Sequence, residues 1–240
     1  MPETVPQAAL RWAPAVAALA TLAAVLVALF RESIFLRVRR PRLTVRISGG
    51  PPDCHKTAWT LPDGGMVPCY FLRVQVENTG RTTAHRVEAF LSDVSCRGPD
   101  GTFGPTEPRF LPMGLLWSHT KLPYAEALVP HMPRHCDLAY VMQPAVSLPR
   151  LPLPAHIPRD KTYAVLETEV KPNTGSSFLS PGTYRLELRV GADNAKPQSF
   201  RIDLAVNGEW FTDEDRMLSE GVSVACAPAS SSEPKPSSPH

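Results

Sequence analysis

No short catalytic motif occurs in the 240 residues. There is no G-x-S-x-G elbow to expose a serine nucleophile, no H-E-x-x-H helix for zinc, no P-loop and no G-x-G-x-x-G turn for phosphates. Cysteine is sparse and odd in number: Cys54, Cys69, Cys96, Cys136 and Cys226 are widely spaced, with no C-x2-C pair among them. That pattern does not make a disulfide framework and fits a reducing compartment. No N-x-S/T sequon is present, so the chain offers no site for N-glycosylation. Beyond residue 42 no long stretch repeats with a 3.6-residue period, so helices are not expected to build the body of the protein.

What is present begins at the N-terminus. Residues 12–30 read WAPAVAALATLAAVLVALF, an uncharged run of 19. At ~1.5 Å per residue a helix of this length reaches ~28 Å, just enough for a hydrocarbon core ~30 Å thick. Lipid offers the backbone no partners, so a spanning run must be helical. Pro14 is expected in the first turn, where its missing N–H costs little. Trp12 and Phe30 stand at the two ends, where aromatic rings suit the interface. A cleaved leader is disfavoured, because cutting after Ala18-Leu19-Ala20 would leave an apolar stub.

The flanks suggest an orientation. Arg11 stands before the run, whereas Arg31, Arg37, Arg39, Arg40 and Arg42 come after it, against Glu32. Positive flanks stay in the cytoplasm, so the large C-terminal part is expected inside, with these five arginines against lipid headgroups. The first 42 residues hold six arginines and two glutamates, which leaves 19 basic and 21 acidic residues beyond them, net −2. A mildly acidic domain argues against nucleic acid as a partner. The expected organisation is a flank at 1–11, a transmembrane helix at 12–30, a basic segment at 31–42, a folded domain at 43–224 and a Pro/Ser-rich, disordered tail at 225–240.

Period-two alternation marks the strands. Tyr70, Leu72, Val74 and Val76 alternate with polar neighbours, as do Tyr184 to Val190, Phe200 to Val206, and Val87, Ala89 and Leu91. Leu43–Ile47, His135–Val141 and Tyr163–Val170 read as further strands, and Phe110–Trp117 as another strand or a buried crossing. Pro144 to Pro158 is too rich in proline for a central strand and reads as an extended surface crossing. Seven or eight short strands with frequent turns predict an all-β, immunoglobulin-like antiparallel β-sandwich behind one N-terminal transmembrane helix.

Phe71 to Gly80, followed by Thr83 to Val87, resembles bacterial adhesion-type immunoglobulin-like modules of the CARDB-like group, and Pro181 to Val190 is similar to their penultimate strand. The resemblance covers residues 66–94 and 180–206. It implies a fold and no residue-level function, and Gly98–Pro158 departs from it. The chain's layout also resembles uncharacterised bacterial membrane-anchored proteins.

Three sets of residues could carry chemistry. Cys54, His55, His119 and Cys136 are zinc-type ligands, with Cys54-His55 read in the loop Pro51–Lys56, but no C-x2-C pair supports them and adjacent residues of an extended chain diverge. No metal and no cofactor is therefore expected. Ser118-His119 suggests a hydrolase, yet neighbours on an extended chain cannot pair as nucleophile and base. Trp210 and Phe211, ahead of the acidic Asp213-Glu214-Asp215, either close one end of the sandwich or offer a partner surface. The leading expectation is a non-catalytic domain presented to an unknown protein partner at the cytoplasmic membrane face. An extracytoplasmic module binding an envelope protein or glycan, and a metal-dependent or hydrolytic domain on the Cys/His loops, are the alternatives.

Overall fold

The computed structural model describes residues 7–38, 40–60, 64–147 and 152–228. The chain forms two compact units, Met1–Arg40 and Pro41–His240. Among its described residues the first holds one α-helix, α1 (Gln7–Val38), 32 residues long. Its backbone runs through the whole uncharged stretch. Because the helix starts at Gln7, Pro14 lies inside it and not in its first turn. The ladder therefore lacks the bond that an N–H at this position would donate to the carbonyl of Leu10. Thr21, the one hydroxyl in the run, donates to the Ala17 carbonyl at 2.9 Å. The side chains described are Trp12 and residues 14–28, all exposed. Among the described residues no helix is long and apolar enough to cross a membrane. The side chains of Phe30, Arg31, Arg37 and Arg39 lie outside that description.

The second unit is all-β, two antiparallel sheets packed face to face. Its strands are β1 (Leu43–Arg46), β2 (Cys54–Thr60), β3 (Met66–Asn78), β4 (Ala84–Arg97), β5 (Phe103–Pro105), β6 (Met113–Gly114), β7 (Leu116–Trp117), β8 (Tyr124–Leu128), β9 (Arg134–Met142), β10 (Tyr163–Leu166), β11 (Phe178–Leu179), β12 (Gly182–Ala192), β13 (Ala195–Val206) and β14 (Val222–Pro228). The first sheet runs β1-β3-β9-β10-β11, with β2 on β3 and β7 on β9. The second runs β14-β13-β12-β4-β5, with β6 and β8 also on β4. The long strands are those with the cleanest alternation. β12 and β13 pair from Gly182↔Val206 to Ala192↔Ala195 as one hairpin. Between the sheets lie Leu72, Val74 and Val76 of β3, Val87, Ala89 and Leu91 of β4, and the apolar positions of β12 and β13. Each inward residue removes apolar area from water, and the outward ones stay wet.

Several elements differ from the pattern in the sequence. Pro51–Lys56 contains the start of a strand and not only a loop: β2 pairs with β3 from Cys54↔Leu72 to Thr60↔Met66. The stretch Tyr163–Val170 is strand only to Leu166. Phe110–Trp117 yields two two-residue strands on opposite sheets. The last strand pairs with β13 through Pro228, past residue 224. The rest of the tail, 229–240, lies outside the described residues.

A second cluster covers the outer face of the first sheet. Val67, Cys69, Tyr140, Met142, Ala145, Ile157, Tyr163 and Val165 form it, with Trp59, Phe71, Leu153 and Phe178 against it. Ala145, Leu153 and Ile157 come from the proline-rich crossing. That segment therefore roofs one sheet, and β9 is buried on both faces from Cys136 to Met142.

Candidate functional site

The densest polar grouping lies beside this second cluster, on the outward positions of β2, β3 and β9. Two buried carboxylates organise it. Asp137 of β9 accepts from the Ser118 hydroxyl at 2.7 Å and from Lys121 Nζ at 2.5 Å. Asp53, just before β2, accepts from the Ser48 amide at 2.7 Å and the Ser48 hydroxyl at 2.9 Å. His135 Nε2 lies 2.8 Å from the other oxygen of Asp53. Burial alone would raise the Asp53 pKa, but the Ser48 amide, His135 and the Ser48 hydroxyl together hold it below its ordinary value of 3.8. Each acid ties a loop to the sheet: Asp53 the turn from Ser48, and Asp137 the turn of Ser118 to Lys121.

Arg73 lies on the same face of β3. It donates to the Pro52 carbonyl and to His55 Nδ1, the latter at 3.3 Å. A guanidinium only donates, so Nδ1 is the acceptor. Burial first, then the Arg73 charge, pull the His55 pKa down, which keeps the ring neutral at pH 7. His55 stacks on Phe71 with centroids 6.3 Å apart. Lys121 stands 5.6 Å over the Phe71 ring, and Lys171 5.6 Å over the Tyr140 ring. Lys171 also donates to Glu167 at 2.9 Å. Burial lowers the Lys171 pKa, and Glu167 opposes that shift. The face is thus a sequence of paired charges over aromatic rings, each polar group holding a neighbour in place.

The zinc-type residues are not brought together. Cys54 and Cys136 both point into the main core, where their thiols approach the Ser48 carbonyl at 3.2 Å and the Leu116 carbonyl at 3.3 Å. Burial pushes Cys54 up to about 12 and raises Cys136 well above its usual range. His55 is on the other face of the sheet, and His119 is exposed in a turn. Among the described residues no group of three or more His, Cys, Asp or Glu side chains is placed to hold a metal ion. The spacing His131-x3-His135 has the form of a ligand pair, but the structure separates the two: His131 lies 3.7 Å from Glu77, and His135 is on Asp53. Ser118 is bonded to Asp137 and thus not set up by His119 as a nucleophile.

Trp210 and Phe211 are half-buried and pack on the main core. Trp210 meets Tyr70 with centroids 5.1 Å apart, and the Tyr70 hydroxyl donates to the Phe211 carbonyl at 2.9 Å. Arg216 lies 4.2 Å over the Phe211 ring. Asp213 caps the short helical turn Glu214–Arg216 by accepting from the Arg216 amide. Of the five arginines that follow the uncharged run, the side chains of Arg40 and Arg42 are described, and both are exposed. The Asp53 and Asp137 networks had no signal in the sequence beyond isolated acids near strands, because their partners lie 5 to 82 residues away. No protein family, curated protein or solved structure matches the chain.

Proposed function

We propose that the chain is a single-pass membrane protein that presents a non-catalytic, immunoglobulin-like domain to a protein partner at the cytoplasmic membrane face. The observation that carries this reading is the N-terminal run. Nineteen residues without a charge are followed within twelve residues by five arginines, and α1 is continuous through the uncharged run and into this flank. Its apolar side chains have no cover within their own unit: Trp12 is 70% exposed, Leu19 67% and Val27 65%. A helix that is apolar all round needs lipid or protein around it. The intrahelical bond of Thr21 leaves no unpaired hydroxyl to oppose burial in lipid.

A non-catalytic role is supported by how the polar groups of the sandwich are used. Asp53, Asp137, Arg73 and Ser118 each fix a loop or a neighbouring side chain. The partner surface is the end of the domain that carries Trp210, Phe211 and the acidic turn after them, a half-buried aromatic anchor with a charged rim.

Fusing a fluorescent protein and, separately, alkaline phosphatase to the C-terminus tests both anchor and topology. Fluorescence in the membrane fraction after alkaline extraction, with inactive phosphatase, is expected. Active phosphatase would assign the domain to the outside and favour an envelope ligand. Extraction of the full chain into the soluble fraction would overturn the anchor.

A further inference from the structure

The sandwich has two poles, one at the Asn78 end of β3 and one at the segment 207–221 that follows β13. At the pole where the chain enters β1, Asn78 is buried and gathers the neighbouring turns. Its Nδ2 donates to the carbonyls of Thr82 at 2.7 Å and Leu128 at 3.0 Å, and its Oδ1 accepts from the amides of Gly80 at 3.0 Å and Arg42 at 3.2 Å. The His131 amide donates to the Asn78 carbonyl at 3.0 Å. Asn194, at the tip of the β12–β13 hairpin, accepts from the His85 amide at 3.1 Å and donates to the Thr83 carbonyl at 2.8 Å. Three turns, at 79–82, 129–133 and 193–194, are thereby fixed on one surface.

That surface is basic with an apolar tip. Arg42, Arg81, Arg134 and Lys196 are exposed there, and none of them is in an ion pair among the described residues. The exposed acids near them are Asp193 and, two residues before Leu128 on β8, Glu126, while Glu77 is paired with Arg46. Val129 is 44% exposed and Met132 62% exposed on the same turn. At the opposite pole, residues 207–221 carry Glu209, Asp213, Glu214 and Asp215, with Glu220 paired to Arg216. Tyr70 and Lys56 tie that segment down through the Phe211 and Thr212 carbonyls.

We propose that the Leu43 pole docks on an anionic bilayer surface, with Met132 and Val129 entering the headgroup layer and Arg81, Arg134 and Lys196 on the phosphates. This inference rests on the membrane-anchor reading and deepens it. Charge complementarity selects lipid over a protein occupant, because the covalent tether delivers the domain to the headgroups by this end. The surface potential of an anionic leaflet decays within a Debye length of ~8–10 Å. Tyr70, which holds the acidic segment, is eight residues along β3 from Asn78, ~26 Å at ~3.3 Å per residue. The near pole is therefore attracted, while the acidic pole lies beyond the field and points away.

The test is amide hydrogen exchange on the full chain in nanodiscs of phosphatidylcholine alone and of phosphatidylglycerol mixed with phosphatidylcholine, with alkaline extraction run alongside. Docking predicts that amides of 79–82 and 129–134 exchange roughly tenfold more slowly on the anionic discs, as two or more cations near the surface would give. Arg81→Glu with Arg134→Glu removes most of that protection, and Met132→Ser lowers it. Arg97→Glu with Lys161→Glu, placed away from this pole, leaves it unchanged. Equal exchange on the two discs, in a chain that resists extraction, overturns docking and leaves the anchor standing. Loss of protection in the distant pair equal to that in the pole pair also overturns it, since net charge would then be the cause. Release by alkali overturns the anchor, and docking with it.

Discussion

Asp53 and Asp137 are the two carboxylates buried among the described residues, 6% and 2% exposed, and each is a fastening for a loop. Asp53 has a testable sign. Its folded pKa lies below its ordinary 3.8, so it contributes stability that is fully present above that value and lost as pH falls through the folded pKa. Unfolding by denaturant between pH 6 and pH 2 is therefore expected to show a steeper acid loss in the wild-type chain than in Asp53→Asn, with the difference confined below about pH 4. A second expectation concerns the thiols. Cys54, Cys69 and Cys136 are fully buried, and burial pushes Cys69 and Cys226 up to about 11. A maleimide at pH 7.5 should label Cys96 first in the folded chain, which peptide mass spectrometry would read, and the three buried thiols only after denaturation. The free thiols were legible in the sequence from odd count and spacing. Their inward direction emerged only once β2 and β9 were known to place them between the sheets.

At the level of strands and turns, the long central strands could be read from alternation, because one face is buried and the other wet. β2 could not. Its burial is intermediate along nearly its whole length, and Cys54 to Thr60 mixes polar and apolar residues without a period. It forms because β3 offers seven positions of backbone pairing. β14 was half hidden for a different reason, since its Ala, Cys and Pro composition resembles the tail beyond it. Ending the chain after Val224 would delete the partners of Phe200 to Asp203. The expected result is a melting temperature lower by several degrees, since each 1 kcal/mol shifts a domain of this size by about 2–4 °C. Trp210→Ala tests the segment that closes the acidic pole. The side chain is half-buried against Tyr70, so a loss of about 2 kcal/mol is expected, below the roughly 3–5 kcal/mol of a fully buried aromatic. Calorimetry of the full chain in detergent micelles would measure both. No change in Trp210→Ala would mean the ring is kept for a partner.

Across the molecule, the near-balanced charge of residues 42–240, 20 basic against 21 acidic, conceals a separation. Four exposed cations lie at the Asn78 end of β3, and the acidic turn lies against Tyr70, eight residues along that strand. The basic side is assembled from Arg42, Arg81, Arg134 and Lys196, which come from four separate parts of the chain. Salt offers a simple check of this charge separation. Docking through these groups should weaken as ionic strength rises, while retention of the chain by its helix should not. Exchange protection of the pole and membrane retention, measured together across a salt series, would show two independent responses.

Local composition and period were enough to reveal the uncharged 19-residue run, its arginine flank and the all-β character of the chain beyond residue 42. They were also enough to show that the short motifs for a serine elbow, a zinc helix and a phosphate loop do not occur. Tertiary packing was needed to show that a proline-rich crossing roofs the first sheet and that Asp53 finds His135 82 residues away. It alone gathers three turns around Asn78 and Asn194 into a basic pole. Those features depend on which strands are neighbours. Strand order is set by the fit of two apolar faces and by long-range pairing, and neither has a counterpart in local sequence.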